Sequence, residues 1–249
     1  MKLVVSGKGG VGKTTLSGTM ALMLAGEGKK VLAVDSDPSM NLHSALGLKN
    51  PTPISKLKEL IKERTVLETG AFRLNPKVDD IPEDYSSKLD GLRLIVMGTV
   101  EKGGEGCICP ETAFLKALLR HLVLKKDEFL ILDTEAGVEH LGRSIAARFD
   151  LMVVVCEPSE KAVDTANRIH MLSKDIGIKK VVGVGNKVST RAQEEFIERS
   201  LDFQVIGFVP FDETVIEADM ERKPLYSYPD SPALKKIIEI TKGILAARL

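Results

Sequence analysis

The chain has 249 residues, and its 35 basic and 35 acidic side chains give a formal net charge of zero at pH 7. This balance argues against a general attraction to nucleic acid or to anionic lipid. Hydrophobic residues make up 43% of the sequence, which is sufficient for the core of a single domain over residues 1–249. Three cysteines, no signal peptide and no apolar run of membrane-spanning length predict a cytoplasmic protein without a disulfide framework.

Apolar runs alternate with helical patterns along the chain. This predicts an α/β fold in which a mostly parallel sheet of seven or eight strands carries helices on both faces. Residues 51–91 are the least regular stretch and are predicted to be an insertion that contains a helix over residues 54–64. The predicted strands cover residues 2–6, 30–35, 92–97, 128–133, 150–156, 179–185 and 204–209.

A glycine-rich run over residues 7–15 follows the first predicted strand and fits the phosphate-binding pattern G-x-x-x-x-G-K-[ST]. Glycine lets successive backbone N–H groups turn toward a phosphate, and the positive end of the following helix points at the same oxygens. Lys13 is predicted to bind the β and γ phosphates, and the Thr14 hydroxyl to bind Mg²⁺. The expected nucleotide contacts are Gly9, Gly10, Val11, Gly12, Lys13, Thr14 and Thr15.

Acidic residues end two of the predicted strands, at the edge of a parallel sheet where ligands bind. Asp35 and Asp133 are expected to support the Mg²⁺ shell, directly or through water, and Asp37 to orient or deprotonate the attacking water. Gly137 is expected to bring its backbone N–H to the γ-phosphate, so that its loop relaxes on hydrolysis. Simple turn chemistry before Pro38 is the alternative explanation of the first acidic pair.

Lys8 stands inside the loop at a position where the phosphate-binding pattern needs no lysine. A solvated lysine that only adds positive potential is one explanation. The run over residues 8–15 also resembles the deviant Walker A motif of the class that includes MinD, ParA and the nitrogenase iron protein. The resemblance implies that Lys8 crosses a dimer interface to the phosphates of the partner's ATP. It further implies that Lys8, Lys13 and Asp37 carry the hydrolysis of ATP to ADP.

Cys107 and Cys109 lie one residue apart in a glycine-rich stretch before a predicted helix over residues 111–126. The pair can point two sulfurs at a soft metal, but it supplies only half of a four-coordinate site. A symmetric dimer repeats the pair, so four thiolates that meet at the two-fold axis would complete a Cys₄ cage. A redox-active pair, a chance pair and a bridging iron–sulfur cluster are the alternatives.

The stretch over residues 103–111 and the run over residues 133–143 are similar to the carbon monoxide dehydrogenase maturation ATPases of the CooC type. The resemblance implies a homodimer that holds Ni²⁺ or Zn²⁺ between its Cys107 and Cys109 pairs. It also implies an apo-metalloenzyme client such as carbon monoxide dehydrogenase. Three choices stay open: whether the metal is nickel or zinc, whether the client is this enzyme or acetyl-CoA synthase, and whether ATP or metal first drives dimerisation. A MinD- or ParA-like organiser of a membrane, DNA or a protein partner is the alternative function.

Base recognition is expected late in the chain. Asn186 lies at the end of a predicted strand, at the same edge of the sheet as the phosphate loop, and its side chain carries a hydrogen-bond donor and an acceptor. It matches the purine-contacting asparagine of the class. Pro210 follows the last predicted strand and, in the resembling proteins, packs against the base. A turn-forming Asn-Lys pair is the alternative for Asn186. The sequence alone leaves adenine and guanine open.

Two further features are predicted to be structural. Cys156 lies in an apolar strand and is expected to be a small core residue. The last helix is expected to begin with Ser231 as its N-cap and Pro232 at its first position. Its apolar face is predicted to pack on the domain rather than on a membrane surface, because it has no aromatic anchor and carries mixed charge.

Overall fold

A computed structural model describes residues 1–69, 71–73, 75–99, 110–124, 128–135 and 141–247. Within these ranges the strands form one eight-stranded sheet in the order β3-β4-β2-β5-β1-β6-β7-β8. Every neighbouring pair is parallel except β3 and β4, which confirms the predicted α/β fold. The strands are β1 (Lys2–Gly7), β2 (Val31–Asp35), β3 (Ser87–Leu89), β4 (Leu92–Val96), β5 (Phe129–Asp133), β6 (Leu151–Cys156), β7 (Val181–Val188) and β8 (Val205–Pro210).

Helices connect most of these strands, as expected for parallel crossovers. The described residues also form 3-10 turns at Ile54–Lys56 and Leu225–Ser227. The helices are α1 (Lys13–Gly26), α2 (Leu42–Ala45), α3 (Lys58–Thr65), α4 (Ile81–Asp84), α5 (Pro110–Leu124), α6 (Arg143–Ala146), α7 (Glu160–Asp175), α8 (Arg191–Ser200), α9 (Glu213–Met220) and α10 (Pro232–Ala246). None of them is long and apolar enough to cross a membrane.

The core is built on the central strands. Every residue of β2 and β6 is buried, as is every residue of β1 after Lys2. Because successive side chains of a strand point to opposite faces, continuous burial means that both faces of the sheet are covered. The carboxyl ends of the parallel strands therefore form one of the few places where polar side chains can meet beside the core.

The structure differs from the predicted elements at two places in the insertion. The helix expected over residues 54–64 is a 3-10 turn followed by α3, because Leu57 takes a non-helical conformation with φ −81° and ψ 57°. Strand β3 was not expected, since it is only three residues long and begins with the polar pair Ser87 and Lys88. It pairs as an antiparallel edge strand, which supplies an eighth strand.

The predictions for the last helix and for Cys156 are confirmed. The Ser231 side chain accepts a hydrogen bond from the Leu234 backbone N–H, and α10 begins at Pro232. Most apolar residues of α10, among them Ile237, are buried, Ile238 and Leu245 are half-buried against the core, and the helix packs on β8 and α1. Cys156 is fully buried at the end of β6.

Candidate nucleotide site

The loop between β1 and α1 has the backbone shape that a phosphate cradle requires. Gly12 has φ 96°, a left-handed conformation that residues with a side chain rarely adopt. A Cβ added to Gly12 would lie 2.2 Å from Asn186 Nδ2, and one added to Gly7 would lie 2.3 Å from the Val155 carbonyl oxygen. Glycine is therefore required at both positions by conformation and by space.

The first turn of α1 offers its backbone N–H groups to the loop. Its N-cap is Gly12, no side chain caps it, and its first turn holds no acidic residue. The first N–H groups of a helix have no partner within the helix, and the helix dipole makes this end positive. This end of α1 is therefore suited to bind an anion, as the sequence pattern predicts.

Lys13 lies at the bottom of the loop with only 6% of its surface exposed. Its Nζ atom is 3.3 Å from the Lys8 carbonyl oxygen and 3.8 Å from Asp37 Oδ2. The ammonium group is thus held by oxygen atoms at the place where the pattern puts phosphate. The contact with Asp37 joins two of the predicted catalytic residues directly.

Asp133 and Asp35 end neighbouring strands and are paired in register, and both are fully buried. Asp133 accepts hydrogen bonds from Thr14 Oγ1 at 2.7 Å and from Ser17 Oγ at 3.3 Å. Burial, joined by the neighbouring charge of Asp35 and opposed by the Thr14 hydrogen bond, raises the pKa of Asp133 to about 7. Burial likewise raises the pKa of Asp35 to about 6.

The donor chemistry fits Mg²⁺. A hydroxyl and a carboxylate already lie in contact, and a second carboxylate is close enough for repulsion that a cation relieves. No group of three or more His, Cys, Asp or Glu side chains able to hold a metal occurs in the described ranges. Mg²⁺ needs no such group, because it binds through one or two carboxylates together with substrate phosphates.

Asp35 also shapes the loop that presents Asp37. Its two carboxylate oxygens accept backbone hydrogen bonds from Asp37 at 3.1 Å and from Leu42 at 2.9 Å. Asp37 in turn accepts from the backbone N–H and the hydroxyl of Ser39 through one oxygen, which leaves the other facing Lys13. Asp35 and Asp37 therefore stabilise the turn through backbone hydrogen bonds, and Asp37 also faces Lys13 in the candidate site.

The predicted base-contacting residues line the same cleft, which has a volume of about 900 Å³. Asn186 Nδ2 donates to the Val11 carbonyl at 2.7 Å, so its amide holds the phosphate loop as well as facing the cleft. Pro210 lies at the end of β8, with Phe211 beside it. Gly9, Gly10, Gly12, Lys13, Thr14, Thr15 and Asp37 also line this cleft, whereas Val11 is buried.

Two residues in this region were not singled out from the sequence. Glu157 lies between Lys8 and Lys187, with its Oε1 atom 3.9 Å from Lys8 Nζ and its Oε2 atom 3.4 Å from Lys187 Nζ. Lys187 Nζ also donates to the Gly10 carbonyl at 2.6 Å. The available signal was a carboxylate directly after the buried strand β6, at the sheet edge that the phosphate loop occupies.

Three predicted site residues lie outside the described residues: Cys107, Cys109 and Gly137. Their expected roles at the shared metal and at the γ-phosphate stay predictions. The elements before and after the cysteine pair in the sequence are among the described residues. Strand β4 ends at Val96, at the same edge of the sheet as the phosphate loop. Helix α5 begins at Pro110, the residue after Cys109 in the sequence.

Comparison with known proteins gives consistent matches. Residues 2–225 match the family described as the CobQ/CobB/MinD/ParA nucleotide binding domain. The carbon monoxide dehydrogenase accessory protein CooC of Rhodospirillum rubrum is 43% identical over 94% of this chain and 92% of its own length. An uncharacterized ATP-binding protein of Methanocaldococcus jannaschii is also 43% identical, over 98% of both chains.

Solved structures agree on the fold. The septum site-determining protein MinD from Pyrococcus horikoshii, complexed with Mg-ADP, superposes with a TM-score of 0.72. It is 21% identical, and the match covers 99% of this chain and 98% of the MinD chain. With the family match and the two relatives, these observations show that the chain belongs to the MinD/ParA family of P-loop ATPases, among the relatives of CooC.

Proposed function

We propose that this ATPase is a homodimeric metal-delivery protein, in which ATP closes the dimer and Cys107 and Cys109 of both subunits carry Ni²⁺ or Zn²⁺ as cargo. The observation that carries the proposal is the 43% identity to CooC, an accessory protein of carbon monoxide dehydrogenase, over 94% of the chain. The proposed recipient is a metal-free enzyme of the carbon monoxide dehydrogenase kind.

The nucleotide half of the proposal is supported by the contacts around the phosphate loop. Lys13 is buried beside the cleft and would exchange its contact with Asp37 for phosphate oxygens. Asp37 would then be released toward the attacking water, which it would orient or deprotonate. Thr14, Asp133 and, through its neighbouring charge, Asp35 would hold Mg²⁺, which supplies charge neutralisation at the phosphates when bound.

The cysteine half is supported by the sequence and by the anchors on either side. Strand β4 runs parallel to β2 and ends at the sheet edge where Asp35 lies, and Cys107 and Cys109 follow β4 in the sequence. One Cys-x-Cys pair provides two of the four thiolates that a closed tetrahedral site needs. Two chains related by a two-fold axis provide all four, which links metal binding to dimer formation.

The alternative function is spatial organisation of a membrane, DNA or a partner protein, as in MinD or ParA. A lipid-binding helix would need a free apolar face. Within the described residues, α10 does not provide one, because most of its apolar residues are buried and Ile238 and Leu245 are half-buried against the core. The metal measurements below separate the two functions.

The proposal is tested by measuring the mass in solution and the bound metal of the same samples, with no nucleotide, with Mg-ADP and with a non-hydrolysable ATP analogue and Mg²⁺. Cys107→Ala/Cys109→Ala is the test variant, and Cys156→Ala is the matched control because its thiol is buried in the core. We expect one Ni²⁺ or Zn²⁺ per two chains in the wild type and in the control, and none in the test variant.

The results that contradict the proposal are specific. One metal per chain that survives both cysteine substitutions would reject the shared thiolate site. A protein that stays monomeric with the ATP analogue would reject the nucleotide-driven dimer. Lys8→Ala is expected to keep nucleotide binding and to lose both ATP-driven dimerisation and turnover, so full turnover in that variant would reject its cross-subunit role.

A further inference from the structure

Lys8 is held within its own subunit by an acidic side chain. Its Nζ atom lies 3.9 Å from Glu157 Oε1, and 37% of the Lys8 side chain and 25% of the Glu157 side chain are exposed. Lys8 is the residue that, in the proposed function, must reach the partner's phosphates. If Lys8 leaves Glu157 to reach those phosphates, the Glu157 carboxylate competes with dimer formation.

Glu157 is itself held in place from the opposite side. Its second oxygen pairs with Lys187 Nζ at 3.4 Å, and the Lys187 ammonium donates to the Gly10 carbonyl at 2.6 Å. Lys187 adopts φ 58°, a left-handed conformation that is uncommon for a residue with a side chain. The position of the carboxylate is therefore tied to the outer side of the phosphate loop rather than left to a free surface rotamer.

We infer that Glu157 is a positioning residue that retains Lys8 in the unpaired subunit and so sets the protein concentration at which ATP joins two chains. The inference rests on the proposed cross-subunit role of Lys8. Glu157 needs to touch neither nucleotide nor metal for this effect. It acts only through the availability of the Lys8 ammonium.

The size of the effect follows from the exposure of the pair. Ion pairs that are this exposed typically change an equilibrium by about 2- to 5-fold. A symmetric dimer releases two Lys8 side chains, so the two factors multiply. Removing the Glu157 charge is therefore expected to lower the dimer dissociation constant by about 4- to 25-fold.

The test is sedimentation equilibrium of the full chain, depleted of nickel and zinc, with Mg²⁺ and a non-hydrolysable ATP analogue. Glu157→Gln keeps the shape of the side chain and removes its charge, and Glu157→Ala is the second variant should the first fold poorly. Both are expected to dimerise about 4- to 25-fold more tightly than the wild type. The gain should vanish in 0.5 M salt, which is about the range where exposed pairs are screened. A purely structural change would not show that dependence.

Two further variants separate the possible failures. Lys187→Met removes the contact that positions Glu157 but keeps the carboxylate charge beside Lys8, so any gain in dimerisation is expected to be smaller than that of Glu157→Gln. In a Lys8→Ala background, Glu157→Gln is expected to have no effect. If Lys8→Ala alone dimerises like the wild type, the proposed cross-subunit role fails. If Lys8→Ala abolishes dimerisation while Glu157→Gln leaves it unchanged or weaker, only the inference about Glu157 is overturned.

Discussion

Gly12→Ala is expected to destabilise the protein even without nucleotide, for two separable reasons. The first is backbone conformation, because a side chain at φ 96° costs about 1–2 kcal/mol. The second is space, since the new Cβ would lie 2.2 Å from Asn186 Nδ2, an atom held by its 2.7 Å hydrogen bond to the Val11 carbonyl. Moving the amide away breaks that bond, at a cost of about 1 kcal/mol. The sum is about 2–3 kcal/mol.

The chain offers matched controls for each contribution. A Cβ on Gly28, at φ 77°, would meet nothing within 4 Å, so Gly28→Ala reports the conformational cost alone. A Cβ on Gly9 also meets nothing within 4 Å, and no positive φ applies there, so Gly9→Ala should change stability by less than about 1 kcal/mol. Urea unfolding of the three variants gives the free energies of unfolding. For a chain of this size, the expected loss for Gly12→Ala corresponds to about 4–12 °C in Tm.

The differences in the free energy of unfolding among the variants test whether a side chain at position 12 clashes with Asn186. Gly12→Ala should lose about 1 kcal/mol more than Gly28→Ala. In the double variant Gly12→Ala/Asn186→Ala the clash is gone, so the combined loss should be smaller than the sum of the two single losses. Equal stability of Gly12→Ala and Gly28→Ala, together with strict additivity in the double variant, would refute the contact between Gly12 and Asn186 as a source of strain.

Three further substitutions test other parts of the fold. Asp212 accepts hydrogen bonds from the first turns of both α9 and α10. Asp212→Ala should therefore lower the free energy of unfolding, measured by urea titration, by about 2 kcal/mol. The control is Asp230→Ala, at a fully exposed side chain, which should lower it by less than about 0.5 kcal/mol. The side-chain hydrogen bonds from Arg64 hold the pKa of Asp80 at about 2, below its ordinary value of 3.8. Asp80→Asn should therefore cost about 1 kcal/mol above about pH 4, and the difference from the wild type should disappear as the pH falls toward 2; a constant difference would contradict the pairing. Burial raises the pKa of Cys156 to about 12, so a thiol reagent at pH 8 should leave its peptide unlabelled in the native protein and label it only after unfolding.

The central part of the fold was predictable because its signals are local. Each buried parallel strand is a short apolar run, and the phosphate loop carries its own spacing of glycines and Lys13. Strand β3 lacked such a signal, because it is short, polar and stabilised only by pairing with β4. The boundary of α3 depended on one backbone conformation, that of Leu57, which the helical pattern over residues 54–64 does not reveal.

In the candidate site, the types of residue were predictable from the sequence, but the contacts between residues distant in the chain were not. Thr14 and Lys13 belong to the phosphate-binding pattern, and acidic residues at strand ends are expected beside Mg²⁺ and the phosphates. The structure brings Thr14 to Asp133 and Lys13 to Asp37. The link from Glu157 to Lys8 joins residues 149 positions apart in the chain. It depends on β1 and β6 being neighbours in the sheet, a pairing that sequence spacing does not contain. The same holds for Asn186, whose contact with Val11 requires β7 to lie beside β6.

The order of the strands fixes how far apart the two strands lie that precede the phosphate loop and the cysteine pair in the sequence. Strand β1, which leads to the phosphate loop, and β4, which leads to the cysteine pair, are separated by β5 and β2. Three strand spacings amount to about 14 Å. A row of transverse backbone hydrogen bonds crosses this distance from strand to strand: Thr134 to Val5, Ser36 to Asp133 and Met97 to Asp35. Under the proposed function, an inserted residue that shifts the register of β2 or β5 would break this row and disconnect hydrolysis from cargo release, while both ligand-binding segments kept their own sequences.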